Sequence, residues 1–268
     1  MGLTFSSPYW NMTELTQEQL ERYGRQILLE GVGVEGQEKI LAAKVLLIGV
    51  GGLGSPVSLY LAAAGIGTLG LVDNDVVDLS NLQRQIVHFT KDIGRSKVAS
   101  AEEKLHALNP EVKIRTYNQQ LDAENIADII SDYDFVVDGT DDFPTKFLIN
   151  DACVSAGIPF SHGGILRFTG QTMTVLPGKS ACYRCVFKKS PPPDIASACS
   201  KAGILGAVAG MLGTIQTAEV VKYVTGVGQL LTDILLTFDA LTMSFRKVTL
   251  KRRPDCAACG EFSGMEGG

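Results

Sequence analysis

The chain has 268 residues, 45% of them hydrophobic and 20% charged, and it carries a net charge of −5. This length suits one large α/β domain or two small ones, and the acidic balance argues against a nucleic-acid partner. The apolar runs are too short or too interrupted to span a membrane, and the N-terminus lacks the features of a signal peptide, so we expect a cytoplasmic protein.

Strands and helices are predicted to alternate along the first 162 residues. Helical spacing places Leu20, Tyr23, Ile27 and Leu28 on one face of a first helix, and a second helix is expected over 36–43. Wholly apolar strands are typical of parallel sheets covered on both faces, so we predict βαβ units in a doubly wound, Rossmann-like α/β sheet. The five predicted strands are KVLLIGV, TLGLVD, EVKIRTYN, DFVVDGTDD and GIPFSHGG, and the helices between them cover about 52–64, 94–110, 123–133 and 145–156.

The regular alternation of predicted strands and helices ends after the fifth strand. RFTGQTMTVL alternates as an antiparallel strand does, and a Pro-rich polar stretch at 187–203 is predicted to be an exposed, mobile crossover loop. A long helix follows, and then two more antiparallel strands with a turn near Asp239. We therefore predict a single domain over 15–260, with a mostly parallel sheet extended by antiparallel strands and with disordered tails at 1–14 and 261–268.

A glycine-rich turn follows the first predicted strand. Gly49, Gly51 and Gly54 fit the pattern G-x-G-x-x-G and are followed by a predicted helix. The backbone N–H groups and helix N-terminus of such a loop bind phosphate, and Asp73, at the end of the second strand, suits ribose hydroxyls. The pattern is weak when it stands alone, so NAD, ATP, another nucleotide and plain packing all remain open.

Charged residues near other strand ends help to separate ATP from NAD. Arg84 and Lys97 can clamp phosphates and a departing pyrophosphate, and Asp141 can hold Mg²⁺ between phosphate oxygens. Each of these alone is more often a surface charge, but the ligands of open α/β sheets bind at this edge. The set favours ATP, because an NAD-dependent oxidoreductase would not need it.

The cysteines suggest a metal. Cys182, Cys185, Cys256 and Cys259 form two C-x-x-C pairs, which in a reducing compartment predict a structural, tetrahedral Zn²⁺ site. Redox-active pairs are the alternative. A metal bound here would tie the C-terminal part of the chain to its middle, whereas Cys153 is predicted to lie in the core.

Longer motifs carry a family resemblance over about residues 15–260. In chain order they are ERYGRQILL, GVGGLGS, DNDVVDLSNLQRQ, GRSKV, GTDD, CYRC, KAGILGAVAGMLGTIQTAEVVK and CAAC. The chain resembles the MoeB/ThiF/HesA family, the bacterial relatives of ubiquitin-activating enzymes, and most of all its MoeB branch of molybdopterin-synthase adenylyltransferases. The resemblance implies a homodimeric nucleotidyltransferase that uses ATP and Mg²⁺ to adenylate the C-terminal glycine of a ubiquitin-like sulfur carrier ending in Gly-Gly. It also supports zinc at the cysteines, and it leaves molybdenum cofactor, thiamine, cysteine and tRNA-thiolation pathways open.

The resemblance also implies roles for individual residues. Gly52 and its neighbours cover the phosphates, Asp73 binds the ribose and Asp141 binds Mg²⁺. Arg25 looks like the residue that crosses a twofold interface into the partner's ATP site, a task that suits an always-charged guanidinium, although by itself it reads as a solvated helix charge. The further positions expected at the nucleotide are Gly49, Gly51, Gly54, Asp75, Ser80, Asn81, Leu82, Gln83, Arg84, Gln85, Lys97 and Asp142, of which Asn81, Arg84 and Lys97 contact phosphates.

Two positions carry open alternatives. The family usually has Asn where this chain has Asp142; Asp caps a helix equally well, but it would weaken binding if the family's Asn touches the nucleotide. Cys199, in the crossover loop, is either an incidental thiol or the catalytic cysteine that relatives use for conjugation or sulfur relay.

The resemblance implies chemistry that needs no general base, because an ionised carboxylate attacks the α-phosphate directly. His162, expected just past the fifth strand, is therefore assigned a packing role. No rhodanese-like segment follows the last cysteine pair, so we expect the sulfur donor to act in trans. The alternatives are a tRNA threonylcarbamoyladenosine dehydratase of the same family, against which the acidic charge argues, an NAD-dependent oxidoreductase, and a non-catalytic zinc-bound scaffold.

Overall fold

The computed structural model describes residues 15–192 and 202–260. The predicted tails at 1–14 and 261–268 lie outside these residues, as does most of the crossover loop, including Cys199. What the sequence predicts for those segments, and the extent of the single domain, therefore stay predictions.

Eight strands form one sheet in the order β3-β2-β1-β4-β5-β6-β7-β8. The first five strands pair in parallel, and β6, β7 and β8 extend the sheet in antiparallel fashion. This order confirms the predicted doubly wound sheet and its antiparallel extension. The strands are β1 (Lys44–Ile48), β2 (Thr68–Val72), β3 (Lys113–Tyr117), β4 (Phe135–Asp138), β5 (Phe160–Leu166), β6 (Thr169–Val175), β7 (Ile234–Asp239) and β8 (Ser244–Thr249).

Helices cover both faces of the sheet. They are α1 (Gln17–Arg22), α2 (Gly24–Ile27), α3 (Gly33–Ala42), α4 (Gly54–Ala64), α5 (Lys97–Leu108), α6 (Ile126–Ile130), α7 (Phe143–Ala156), α8 (Tyr183–Val186) and α9 (Gly206–Thr225). The helix α6 is shorter than the sequence predicts. Within the described ranges, no helix is both long and apolar enough to cross a membrane.

The core consists of apolar clusters on the two sides of the sheet. Along β1, Val45 and Leu47 join a cluster with side chains of α4 and α5, whereas Leu46 and Ile48 join a second cluster with α7 and the paired cysteines. Cys153 is fully buried in that second cluster, as predicted. Because neighbouring residues of the strand are buried on opposite sides, the strand has to be apolar throughout.

The first predicted helix is interrupted in the structure. The chain breaks at Tyr23 into α1 and α2, and Tyr23 is the buried residue of the predicted face. Its hydroxyl accepts a hydrogen bond from Asn109 Nδ2 at 2.9 Å and donates one to Glu111 at 3.2 Å. Leu20 and Leu28 remain 39% and 79% exposed, so this face is only partly buried within its own chain.

Candidate functional site

A cavity of about 970 Å³ opens at the carboxyl edge of the parallel strands. It is lined by the glycine turn that follows β1 and by the turn 139–142 that follows β4. These two strands are neighbours, and the chain leaves them in opposite directions along the sheet. Such a switch point is where open α/β sheets bind ligands.

Two glycines give the turn after β1 its shape. Gly49 has a φ of 88°, and a Cβ on it would lie 2.8 Å from the carbonyl oxygen of Gly139. A Cβ on Gly54 would lie 2.0 Å from the carbonyl oxygen of Gly49, so this glycine lets α4 start close against the end of β1. Gly51 and Gly52 line the cavity and Gly54 does not, which separates the predicted binding glycines from a packing glycine.

Asp73 lies on the cavity wall directly after β2. Its carboxylate accepts hydrogen bonds from the backbone N–H groups of Val50 at 2.8 Å and of Asp75 at 2.9 Å, so it connects β2 to the glycine turn. Burial raises the pKa of Asp73, although the positive charge of Lys97 acts to lower it. Lys97 begins α5, is almost fully buried, and pairs with the exposed Asp75 at 2.8 Å.

Arg84 and Gln85 follow a short 3₁₀ turn and also line the cavity. The Arg84 guanidinium donates to the carbonyl oxygen of Ser80 at 3.0 Å, and the backbone N–H groups of Arg84 and Gln85 both donate to the carbonyl oxygen of Asn81. Ser80, Asn81 and Leu82 do not line the cavity themselves, although Gln83 does. The structure therefore places Ser80 and Asn81 as supports of Arg84. The predicted contact of Ser80 and Asn81 with the nucleotide stays a prediction.

The turn after β4 carries Asp141 and Asp142, both exposed and both on the cavity wall. Asp142 caps α7, because its carboxylate accepts the backbone N–H of Thr145 at 2.9 Å. Asp142 therefore serves as a helix cap in this chain, and the effect of Asp142 on nucleotide binding stays a prediction. Asp141 makes no side-chain hydrogen bond or ion pair with the described residues, so its carboxylate is available to a ligand.

Sequence reasoning missed a buried charged cluster beneath that turn. Asp138, at the end of β4, accepts Lys146 Nζ at 3.0 Å, His162 Nδ1 at 2.9 Å and the Thr140 hydroxyl at 2.6 Å. Lys146 also donates to the carbonyl oxygens of Thr140 and Gly163, both at 2.7 Å. Burial opposes the ionisation of Asp138, but the charge of Lys146 and the His162 hydrogen bond outweigh it and hold the pKa of Asp138 well below its usual range.

The sequence predicted His162 just past the fifth strand, but the structure places it inside β5. The strand continues to Leu166 because its outer half pairs with β6. His162 is 1% exposed and packs against the Tyr183 ring, with the ring centroids 4.6 Å apart, as the predicted packing role requires, and it also lines the cavity. Burial lowers the pKa of His162 although the hydrogen bond to Asp138 opposes this, and the ring is therefore neutral at pH 7.

The antiparallel strands supply the other wall of the cavity, which we call the polar platform. Two cross-strand rows form it, and all of their members line the cavity. The strand registers give the rows as Gly164–Gln171–Thr237–Arg246 and Leu166–Thr169–Asp239–Ser244. The sequence predicted these strands, but it did not predict that this face turns towards the cavity.

Arg25 lies elsewhere. It is exposed on α2 and lines a shallow depression together with Leu20, Gly24, Ile27 and Leu28. The chain does not bring Arg25 to its own cavity, so its predicted role requires a second copy and stays a prediction.

The four paired cysteines meet on the far side of α7. Their Sγ atoms all lie within 4.8 Å of one another, with Cys182 and Cys256 at 3.5 Å and Cys185 and Cys259 at 3.4 Å. Zinc–sulfur bonds of about 2.3 Å in a tetrahedron imply sulfur–sulfur distances of about 3.8 Å, so the donor set fits a structural zinc ion. The backbone N–H of Arg253 donates to the Cys185 sulfur at 3.4 Å, as an outer-shell hydrogen bond to a thiolate does.

Comparison with known proteins identifies one family and relatives that share its adenylyltransferase names. Residues 23–258 match the ThiF family. The chain is 45% identical over 251 residues to the sulfur carrier protein adenylyltransferase of Thermus thermophilus, a match that covers 92% of this chain and 93% of that protein. It is 46% identical over 256 residues to the adenylyltransferase and sulfurtransferase MOCS3 of Sus scrofa, covering 95% of this chain but 56% of that protein, so it spans about half of the longer relative.

Solved structures agree on the fold. The crystal structure of E. coli MccB with ATP superimposes with a TM-score of 0.79 at 25% identity. The match covers 89% of this chain and 74% of the MccB chain.

Proposed function

The chain belongs to the ThiF family, and from that premise we propose that it uses ATP to adenylate the C-terminal glycine of a small ubiquitin-like sulfur carrier, with release of pyrophosphate. The Thermus thermophilus relative, which matches along nearly its whole length, is named for this activity. Its name favours adenylyl transfer over the NAD-dependent and tRNA-modifying alternatives.

The proposal rests on a cavity whose two halves differ in their lining. One half has the glycine turn, Arg84, Lys97 and Asp141, which suit a triphosphate. The other half is the polar platform, which suits the extended end of a peptide. The cavity volume of about 970 Å³ is at the upper end of the range for a single small ligand, which supports a site that is shared by a nucleotide and a peptide end.

The chemistry follows from this arrangement. An oxygen of the terminal carboxylate attacks the α-phosphorus, the bond from that phosphorus to the bridging oxygen breaks, and pyrophosphate leaves. No proton moves, so the protein contributes positioning and charge neutralisation. Arg84 and Lys97 neutralise the departing pyrophosphate, and for this Lys97 exchanges the exposed Asp75 for a phosphate oxygen.

Two metal ions complete the assignment. Asp141 is the residue proposed to hold Mg²⁺, which when bound shields the phosphate charge, and its exposed carboxylate without a side-chain partner supports this role. The four cysteines are proposed to hold a structural Zn²⁺ that fills its coordination with protein sulfur and takes no part in the reaction.

A homodimer is proposed because the apolar face of α1 and α2 is exposed on the single chain. Leu20, Leu28 and Leu29 are 39%, 79% and 57% exposed, and Arg25 lies among them. A second copy packed on this face would bury the leucines and carry each Arg25 towards the partner's nucleotide.

Isotope exchange tests the activity. Labelled pyrophosphate should exchange into ATP only when a Gly-Gly-ended carrier is present. The Asp141→Ala substitution should abolish the exchange and leave the fold intact, whereas Asp128→Ala, which removes an exposed carboxylate of α6 away from the cavity, should not change it. Near-normal exchange in Asp141→Ala would remove this residue from the Mg²⁺ role, and tight NAD binding with no exchange would overturn the proposal as a whole.

Cys199 lies outside the described residues, and both of its alternatives stay open. If the reaction stops at the acyl-adenylate, Cys199→Ala will keep both exchange and delivery of the activated carrier. If Cys199 relays the carrier or sulfur, exchange will survive and delivery will fail, and mass spectrometry will find a thiol-sensitive carrier adduct on this residue.

A further inference from the structure

Two buried polar atoms of cavity-lining residues have no partner among the described residues, Gln85 Oε1 and His162 Nε2. His162 Nε2 makes no hydrogen bond within the described residues, although the residue is 1% exposed and lines the cavity. Buried polar groups are nearly always hydrogen-bonded, so this atom points to a ligand group that completes it.

The charged cluster beneath the ring decides what that group can be. A carboxylate only accepts hydrogen bonds, so Asp138 requires the hydrogen of the His162 ring on Nδ1, at 2.9 Å. Lys146 balances the charge of Asp138. Burial disfavours the charged ring and lowers the pKa of His162, so with the hydrogen on Nδ1 the Nε2 atom offers a lone pair that needs an N–H or O–H donor and repels a carboxylate or phosphate.

The position of the ring indicates which substrate brings the donor. His162 is on β5, on the far side of β4 from the glycine turn, and its neighbours on the cavity wall include Gly164 and Gln171 of the polar platform. A Cβ on Gly164 would lie 3.6 Å from Nε2, so the bare α-carbon leaves room beside the ring. A Gly-Gly terminus has no side chains, and its only donors are main-chain N–H groups.

We infer that His162 Nε2 accepts a hydrogen bond from the N–H of the last peptide bond of the carrier. The inference rests on the proposed function and adds a recognition contact to it. The bond holds the last peptide group of the carrier against the ring equally before and during the reaction, while the Asp138–Lys146 pair holds the ring in place. His162 is thus a residue that recognises a chain end without a side chain.

The test combines one change in the enzyme with one change in the substrate. In His162→Asn the amide Nδ2 can replace Nδ1 as the donor to Asp138, but the shorter side chain has no acceptor at the position of Nε2. A Gly-Gly carrier whose last residue is replaced by N-methylglycine through chemical ligation lacks the N–H. Wild-type enzyme should show about a three- to tenfold higher KM for this carrier, the effect of one neutral hydrogen bond, with kcat within about twofold because the contact is present throughout the reaction.

His162→Asn should show the same rise in KM with the ordinary carrier and almost no further rise with the methylated one. Its affinity for a non-hydrolysable ATP analogue should be unchanged. Equal methylation effects in both enzymes, or a weakened affinity for the analogue, would overturn the inference. If wild-type enzyme binds ATP but exchanges no pyrophosphate with the unmodified carrier, the proposed function fails and the inference fails with it. If that exchange occurs but the effects of His162→Asn and of carrier methylation on KM are independent of each other, only the inference fails.

Discussion

Replacing Lys146 by Met tests the most tightly constrained part of the site. Lys146 is 6% exposed, and its ammonium group donates to the Asp138 carboxylate at 3.0 and 3.1 Å and to the carbonyl oxygens of Thr140 and Gly163 at 2.7 Å. Methionine has a similar length but no charge and no donor. The substitution therefore leaves a buried carboxylate without its counter-charge.

Removing one member of a buried ion pair costs about 3–5 kcal/mol. His162 and Thr140 still donate to Asp138 after the change, so we expect a loss of unfolding free energy of about 3 kcal/mol, near the lower end of that range. Asp138→Asn combined with Lys146→Met removes both charges, and it should cost less than the sum of the two single changes because the substitutions are coupled.

Urea unfolding followed by circular dichroism measures these differences from the transition midpoints when the slopes agree. Lys113→Met is the matched control, because Lys113 is exposed on β3 and such surface changes stay within about 0.5 kcal/mol. A loss below about 1 kcal/mol in Lys146→Met would contradict the reasoning, because it would mean that water or another cation compensates Asp138.

Three further predictions concern other parts of the molecule. Purified protein should contain about one Zn²⁺ per chain, and Cys182→Ser should lose both metal and stability in metal analysis and urea unfolding; equal stability without metal would favour the redox alternative. Arg25→Ala and Lys97→Ala should each be inactive and should regain exchange when mixed, since one site per heterodimer then has both groups; no recovery after confirmed subunit exchange would place Arg25 outside the partner's site. Burial lowers the pKa of His88 and of His162, so below about pH 6.5 the unfolded chain binds protons that the native chain does not. The free energy of unfolding should therefore fall with falling pH, by up to about 1.4 kcal/mol per pH unit for each ring. Urea midpoints that stay level from pH 7.5 to 5.5 would contradict this.

The sequence predicted the parallel sheet well because its signals are local. An apolar run such as β1 is buried on both sides, and the glycines after it are required by contacts within a few residues and with the neighbouring strand. The same holds for the cysteine pairs, whose spacing alone suggests a metal.

What the sequence could not predict depends on contacts between distant segments. Lys146 reads as an ordinary helix charge, and its burial follows only when β4 and β5 lie side by side. The break lies at Tyr23, whose hydroxyl forms hydrogen bonds with Asn109 and Glu111, and both of these residues are far away in sequence. The polar platform required the strand registers, because a shift of one residue would turn the opposite face to the cavity.

The order of the cysteines along the chain bears on how the protein is made. Cys182 and Cys185 precede α9, β7 and β8, whereas Cys256 and Cys259 follow them. During translation the first pair leaves the ribosome well before the second pair has been synthesised, so the four sulfurs come together only after the last strands have emerged. Binding of the proposed zinc ion would also contribute folding free energy, so a nascent chain that stops before Cys256 would lack this contribution.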